Sequence, residues 1–331
     1  VSYKILAFLT LISNGLATYW FSRRFLNLNF SAAIICLVAY ESSTAVLVNY
    51  MYGSIPNLLG WSIALLFLTS YLGNIMERKF SQANSMLISG LLFGLTLLVH
   101  PFPAIFGLLA IIIFYPVYLS YNPYFRATLN VQLRYFISVF AIGATTSIFY
   151  WLPFLLAYKY VSPIYTYLSS AWDGGIQFIF ILFVLALVIA LITRRQIIRD
   201  LKLDLLIIYV ITASALGFGL TRILPFGLGS LLHEFRFATI VLPLFCILLI
   251  AYSLYLASRQ IQVRKLSLVS ISSCLILITS IIPLIRTYDA DNLHRLFAYV
   301  NNYLQPEYSQ IFKSIKDARL IVPVKRGFLL E

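Results

Sequence analysis

The sequence predicts an all-α fold, a polytopic transmembrane helix bundle of about ten spans, followed by the start of a small extracytoplasmic α/β segment. Three observations predict it. Of 331 residues, 61% are hydrophobic and 11% charged, where a soluble domain carries about 25% charged residues, and the mean hydropathy is +0.91. Apolar stretches of about twenty residues recur, the length a helix needs to cross a bilayer core. These stretches are continuous and lack the two-residue alternation of a transmembrane barrel. In lipid, a segment that must satisfy its own backbone groups is a helix.

The spans fall near residues 4–21, 30–48, 57–75, 84–99, 104–121, 133–157, 175–193, 203–222, 236–257 and 266–285. The first is followed by Arg23 and Arg24 before the second begins. The outer turn "MYGSIPN" leads into the third, which Arg78 and Lys79 close. "HPFP" separates the fourth from the fifth as a tight turn, and Pro103 suits the first turn of the next helix, where a missing amide proton costs nothing. Arg126 and Arg134 precede the bulk of the sixth span, and a loop at 158–174 follows it. Arg194, Arg195, Arg199 and Lys202 link the seventh and eighth; Arg259, Arg264 and Lys265 link the ninth and tenth.

Basic residues therefore mark every second connection, and thirteen of the 24 Lys and Arg lie there. Up to the last span, the opposite face holds Lys4, Lys159, Arg222, Arg236 and Arg286. The bias of positive charge toward the cytoplasm puts the first group inside, and places "MYGSIPN", "HPFP", the 158–174 loop and the 223–235 loop outside. The net charge of +13 is accounted for by topology and does not call for nucleic acid as a partner. The expected location is the cell membrane, multi-pass, with Val1 and the C-terminal tail extracytoplasmic.

Residues 1–287 thus form the transmembrane bundle and 288–331 an extracytoplasmic tail, the start of a truncated soluble domain. Within the tail, Leu293, Leu296, Phe297, Val300 and Leu304 share one helical face, Asp289 or Asp291 can cap its start, and Pro306 closes it. "ARLIVPVKRGF" then has the pattern of a strand. One helix and one strand cannot form a core. The chain is expected to be an internal piece of a longer protein, with a further span and an acidic outer loop upstream of Val1.

The chemistry-bearing residues concentrate toward the outer face. "LTRILPFGLGSLLHEFRFATIVLPL" carries Arg222, His233, Glu234 and Arg236 around one glycine-rich loop. Two guanidiniums beside a membrane surface suit a lipid-linked phosphate, whose oxygens the planar fork binds in pairs; the alternative is a set of snorkelling helix-end anchors, with Glu234 pairing to an arginine. Glu41 is the one acid well inside a span, where its cost marks it as a base, a ligand or an ion partner, or else as a structural group bonded to nearby hydroxyls. His100 is a proton donor or acceptor at the outer surface, or an interfacial turn residue. Lys159 and Asp173 bracket an aromatic-rich loop that suits the aromatic belt or sugar stacking, and Asp173-Gly174-Gly175 has the composition of a turn. Cys36, Cys246 and Cys274 all lie in apolar spans without metal-ligand spacing. No P-loop, nucleophile elbow, zinc motif or dinucleotide fingerprint occurs, and the sequence identifies no metal site or cofactor.

"YGSIPNLLGW", "LLFGLTLLVHPFPAIFG" and "HEFRFATIVLPL", in that order on outer loops, resemble the multi-pass glycosyltransferases of the GT-C class. They are most similar to its branch of integral membrane proteins labelled as related to 6-pyruvoyl-tetrahydropterin synthase, a label that implies no pterin chemistry. The resemblance covers the chain to about residue 290. It implies inverting transfer of a sugar from a polyprenyl-phosphate carrier to an acceptor at the outer face. It also implies an Asp or Glu of the first outer loop as general base, with a divalent metal as a companion. Here that loop would precede Val1, so the expected acid lies upstream, and Glu41, His100 and Glu234 are the candidates within the chain. Arg222, Arg236 and His233 are the implied lipid-phosphate ligands. The competing expectation is a transporter or flippase for a lipid-linked or small polar substrate, which calls for a broken helix and for polar groups on both halves of a pathway.

Overall fold

The computed structural model describes residues 2–43, 46, 55–122, 127–157, 173–197, 199–217 and 237–261. Every regular element among them is helical: α1 (Ser2–Trp20), α2 (Phe30–Glu41), α3 (Ile55–Met76), α4 (Ala83–Val99), α5 (Pro101–Tyr121), α6 (Leu129–Ala157), α7 (Asp173–Gln196), α8 (Leu201–Gly217) and α9 (Leu242–Ile261). Two π-helical turns adjoin them, Phe21–Phe25 after α1 and Phe237–Val241 before α9.

Nine of the ten expected positions carry a helix, and among the described residues six helices are long and apolar enough to cross a membrane: Ile5–Phe25, Ile55–Met76, Phe102–Tyr121, Leu129–Tyr150, Ile179–Gln196 and Leu242–Arg259. Six candidate spans are therefore shown among the described residues, and the figure of ten is not. Phe30–Glu41 and Ala83–Val99 are apolar but shorter, and Leu201–Gly217 has 17 residues. The expected tenth span at 266–285 and the α/β tail lie outside the described residues.

The largest departure is α2. The expected span continues to residue 48, but the helix stops at Glu41 after 12 residues, about 18 Å at the α-helical rise. The polar Glu-Ser-Ser-Thr stretch begins there. Ser42 caps the end and its hydroxyl donates to the Val38 carbonyl at 2.7 Å. The Ser43 hydroxyl accepts from the Val46 amide at 3.4 Å, the i to i+3 bond of a helix N-cap, and Val46 is helical again. The Ser42 and Ser43 amides still reach the Val38 and Tyr40 carbonyls, each at 3.0 Å, so the serine hydroxyls add to the last turn of the helix.

Helix α3 is the hub. It packs against α1, α4 and α5, while α9 packs against α2, α7 and α8. In α3, 83% of the most apolar window is buried, against 22% in α6 at the periphery. Ile5, Phe8, Ile12 and Leu16 of α1, Leu133 and Ile137 of α6, and Ile181, Val188 and Leu191 of α7 face outward. Such a continuous apolar periphery is what lipid, and not water, covers. Helices α4 and α6 touch through glycines: a Cβ on Gly90 would lie 2.6 Å from the Ile142 Cβ, and one on Gly94 would collide with the Thr146 hydroxyl.

One end of the bundle is basic and internally paired. Arg24 after α1 meets Glu77 after α3 at 3.5 Å, and Lys79 meets the same carboxylate at 2.7 Å. Lys79 first, then Arg24, hold the Glu77 carboxyl below its ordinary range. Arg194 of α7 pairs with Asp204 of α8 at 2.8 Å, and Tyr121 of α5 donates to the same aspartate. Tyr252 of α9 donates to Asp200 at 3.2 Å. The Asn27 amide, oriented by its neighbours, donates to the Arg24 carbonyl at 3.1 Å and accepts from Lys202 at 2.8 Å. The basic connections that the sequence sorts to one side of the membrane therefore meet at one end of the molecule.

Candidate functional site

At the opposite end, three segments far apart in sequence converge on the start of α3. His100 is the N-cap of α5. Its backbone is extended and its Nδ1 accepts from the Phe102 amide at 3.3 Å, which leaves its proton on Nε2. Pro101 and Pro103 occupy the first turn of α5, where proline needs no donor. The turn fits tightly because residue 60 is glycine: a Cβ there would meet the His100 Cβ at 3.0 Å and the Pro103 ring at 3.1 Å.

Aromatic rings lock this corner. The Trp61 centroid lies 5.2 Å from Phe106 and 6.2 Å from Phe102, and Phe237 of the second π-turn sits 4.9 Å from Phe102 and 5.9 Å from Phe106. Edge-to-face geometry prevails, as the ring quadrupoles favour. Tyr40 of α2 donates to the Ile240 carbonyl at 3.3 Å, tying the end of α2 to the same π-turn. The wide π-turn carries carbonyls that leave the regular ladder and can accept such bonds.

Unsatisfied polar atoms occur in this part of the bundle, as they do toward the basic end at Ser22, Gln132 and Ser253. Asn57 and Trp61, one helical turn apart on α3, are 3% and 4% exposed. Neither the Asn57 amide nor the Trp61 Nε1 has a hydrogen-bond partner. Asn14 Nδ2 of α1 and both carboxyl oxygens of Glu41 are also buried, facing each other without closing a bond of good geometry. Buried polar groups are paired in most folds, so each unpaired group has a cost of about 1–3 kcal/mol that a bound ligand would offset. Chemically, Asn57 and Trp61 offer donors and an acceptor to a hydroxylated or phosphorylated group, while Glu41 offers a carboxyl group.

The sequence-predicted candidates separate in the structure. His100 packs on the Gly60 side of α3, while Asn14, beside Glu41, meets Ser62 at 3.2 Å. Residues 60 and 62 point about 200° apart around a helix, so His100 and Glu41 are not one constellation. No Ser, Thr or Tyr among the described residues bonds the Glu41 carboxyl. Arg222, His233, Glu234 and Arg236, as well as Lys159 and Cys274, lie outside the described residues. Asp173 begins α7. Cys36 and Cys246 are buried thiols. Among the described residues, no group of three His, Cys, Asp or Glu stands close enough to share a metal ion.

Sequence reasoning missed Asn57 and Trp61. Asn57 was readable as an amide within a helix of otherwise apolar character, but nothing in the sequence reports that its partners are absent. Comparison of the chain with known protein families, with curated proteins and with solved structures returns no match.

Proposed function

We propose that this multi-pass membrane protein is a GT-C-like glycosyltransferase, or an inactive relative of one, that transfers a sugar from a polyprenyl-phosphate carrier to an acceptor at the outer face of the cell membrane. One observation carries the reading. The three segments that bear the GT-C resemblance meet in one aromatic corner, Trp61 with Phe102, Phe106 and Phe237. Arg236 immediately precedes the Phe237 held in that corner. In this reading Arg222, Arg236 and His233 take the lipid phosphate, and Asn57 and Trp61 serve the sugar side. Within the chain the candidates for general base are Glu41, His100 and Glu234, with a divalent metal as companion. Val1 and the C-terminal tail lie on the same outer side.

The test exploits the guanidinium fork, which lysine cannot reproduce. Arg236→Lys and Arg222→Lys, made in the complete protein and assayed with polyprenyl phosphate in nanodiscs, should each weaken binding by about tenfold while expression and folding hold. Unchanged binding in both variants would leave these arginines as interface anchors and remove the reading.

The break in α2 at Glu41 favours a second reading, a transporter or flippase, because discontinuous helices inside a bilayer line substrate or ion paths. Proteoliposomes separate the two. Sugar transfer to an acceptor without leaflet exchange of the carrier supports the first reading; leaflet exchange without transfer supports the second.

A further inference from the structure

The basic end carries more positive charge than its own acids take up. The five connections on that side hold thirteen Lys and Arg and three acids, Glu77, Asp200 and Asp204. Each of these acids is engaged by the bundle itself. Glu77 takes Arg24 and Lys79, and Asp204 takes Arg194. Asp200 accepts from the Leu203 amide at 2.9 Å, as the N-cap of α8, and from Tyr252 of α9 at 3.2 Å. The remainder is arginine. Among the described residues, Arg78, Arg134, Arg195, Arg199 and Arg259 are exposed, and none of them forms an ion pair with an acid.

Three of these arginines belong to elements that are tied together. Arg195 lies in the last turn of α7 and Arg259 in the last turn of α9, and the two helices pack on each other. Arg199 lies on the connection from α7 to α8, which the Arg194–Asp204 pair fastens to α7 and the Tyr252–Asp200 bond fastens to α9. These bonds turn the acids of the connection toward the bundle and leave Arg195, Arg199 and Arg259 exposed.

Depth decides what they meet. The membrane-long apolar segments Ile179–Gln196 and Leu242–Arg259 end at Arg195 and Arg259 or one residue beyond, so both side chains stand where hydrocarbon gives way to phospholipid headgroups. The Arg259 guanidinium lies 4.9 Å from the centre of the Tyr255 ring, and that of Arg199 lies 5.9 Å from the centre of Tyr121. A ring face beneath a guanidinium holds its plane and leaves the N–H edge free to bond phosphate oxygens in pairs.

We infer that α7, the α7–α8 connection and α9 form a headgroup-binding surface for anionic phospholipid at the basic end, with Arg195, Arg199 and Arg259 as its phosphate ligands. Positive charge that the connections' own acids do not match favours an anionic headgroup over a zwitterionic one, whose own ammonium adds like charge. A soluble polyanion fits less well, because Arg195 and Arg259 sit at the lipid boundary and not on a part that projects into water. The inference is independent of the chemistry at the opposite end.

The experiment equilibrates the purified full chain in detergent with equal amounts of phosphatidylglycerol and phosphatidylcholine of the same acyl chains, and counts the lipid that stays bound by native mass spectrometry. Wild type should retain phosphatidylglycerol about fivefold over phosphatidylcholine, and the preference should fall as salt is raised. Replacing all three residues, Arg195→Gln, Arg199→Gln and Arg259→Gln, should cut the preference to less than half, whereas Arg78→Gln with Arg134→Gln should leave most of it. A parallel sample offers a heparin oligosaccharide as a soluble polyanion. Equal retention of the two lipids by wild type needs no variant and overturns the inference, and heparin bound in their place would assign the surface to a soluble polyanion instead. A preference that survives the triple replacement, or that the Arg78 and Arg134 replacements remove equally, overturns it as well.

Discussion

Asn74 shows how single polar residues hold this bundle together. Its Nδ2 donates to the Tyr135 hydroxyl at 3.1 Å and to Ser89 at 3.4 Å, and its Oδ1 accepts from Arg24 at 3.3 Å. Ser89 shares bonds with Tyr135 and Ser70, both at 2.9 Å. One side chain of α3 thus connects α1, α4 and α6. Asn74→Leu removes all three bonds, although Tyr135 keeps Ser89 and Arg24 keeps Glu77, so it should cost about 1–3 kcal/mol. Thr69→Val is the control, because Thr69 donates only to its own Leu65 carbonyl at 2.7 Å and should cost less than about 1 kcal/mol. Denaturation in detergent checks both. The sequence displays Asn74, Ser89 and Tyr135 as polar residues in apolar runs, but not which helices face each other. Glu41 is the reverse case: its position inside an apolar run is legible, while its lack of a partner depends on contacts that only the fold specifies.

At the scale of the element, the positions of helices were legible and their ends were not. A span is expected at 30–48, but α2 ends at Glu41, where the polar Glu-Ser-Ser-Thr stretch begins and the Ser42 and Ser43 hydroxyls bond to the backbone. "HPFP" was readable as a turn because both prolines have a place in a first helical turn. The contact of α4 with α6 rests on "GLLFG", Gly90 to Gly94, against Gly143. Small residues let transmembrane backbones approach closely, and this close approach is an association force in lipid, where the hydrophobic effect between helices is absent. Gly143→Ala would drive a methyl into the Phe93 ring, and Gly94→Ala one into Thr146. Each should destabilise by about 1–3 kcal/mol through overpacking. Gly107→Ala, where a Cβ would lie 3.3 Å from the edge of Phe67, should be milder. Thermal unfolding of the three variants in one detergent gives the order.

For the whole molecule, composition was sufficient for the class and charge pattern for the sorting of ends. Arg24 with Glu77 and Arg194 with Asp204 meet at one end, as the alternation of basic connections predicts. What the sequence could not convey is the difference between an apolar run and a membrane-long helix: among the described residues six helices reach that length, and α2 and α4, at two of the expected positions, do not. The site was legible in part: the aromatic corner draws on motifs visible in the chain, whereas its unpaired amide and indole were not.

The central claim is that the basic end faces the cytoplasm and the polar, unsatisfied end faces out. Single cysteines placed at Ser54, Ser170, Ser230, Ser81 and Ser258, in a background lacking Cys36, Cys246 and Cys274, test it with a membrane-impermeant thiol reagent applied to intact cells. Ser81 follows α3 and Ser258 lies near the end of α9, both at the basic end. The account predicts labelling at 54, 170 and 230 and protection at 81 and 258; labelling at 258 with protection at 230 would contradict it and move the candidate site to the other face.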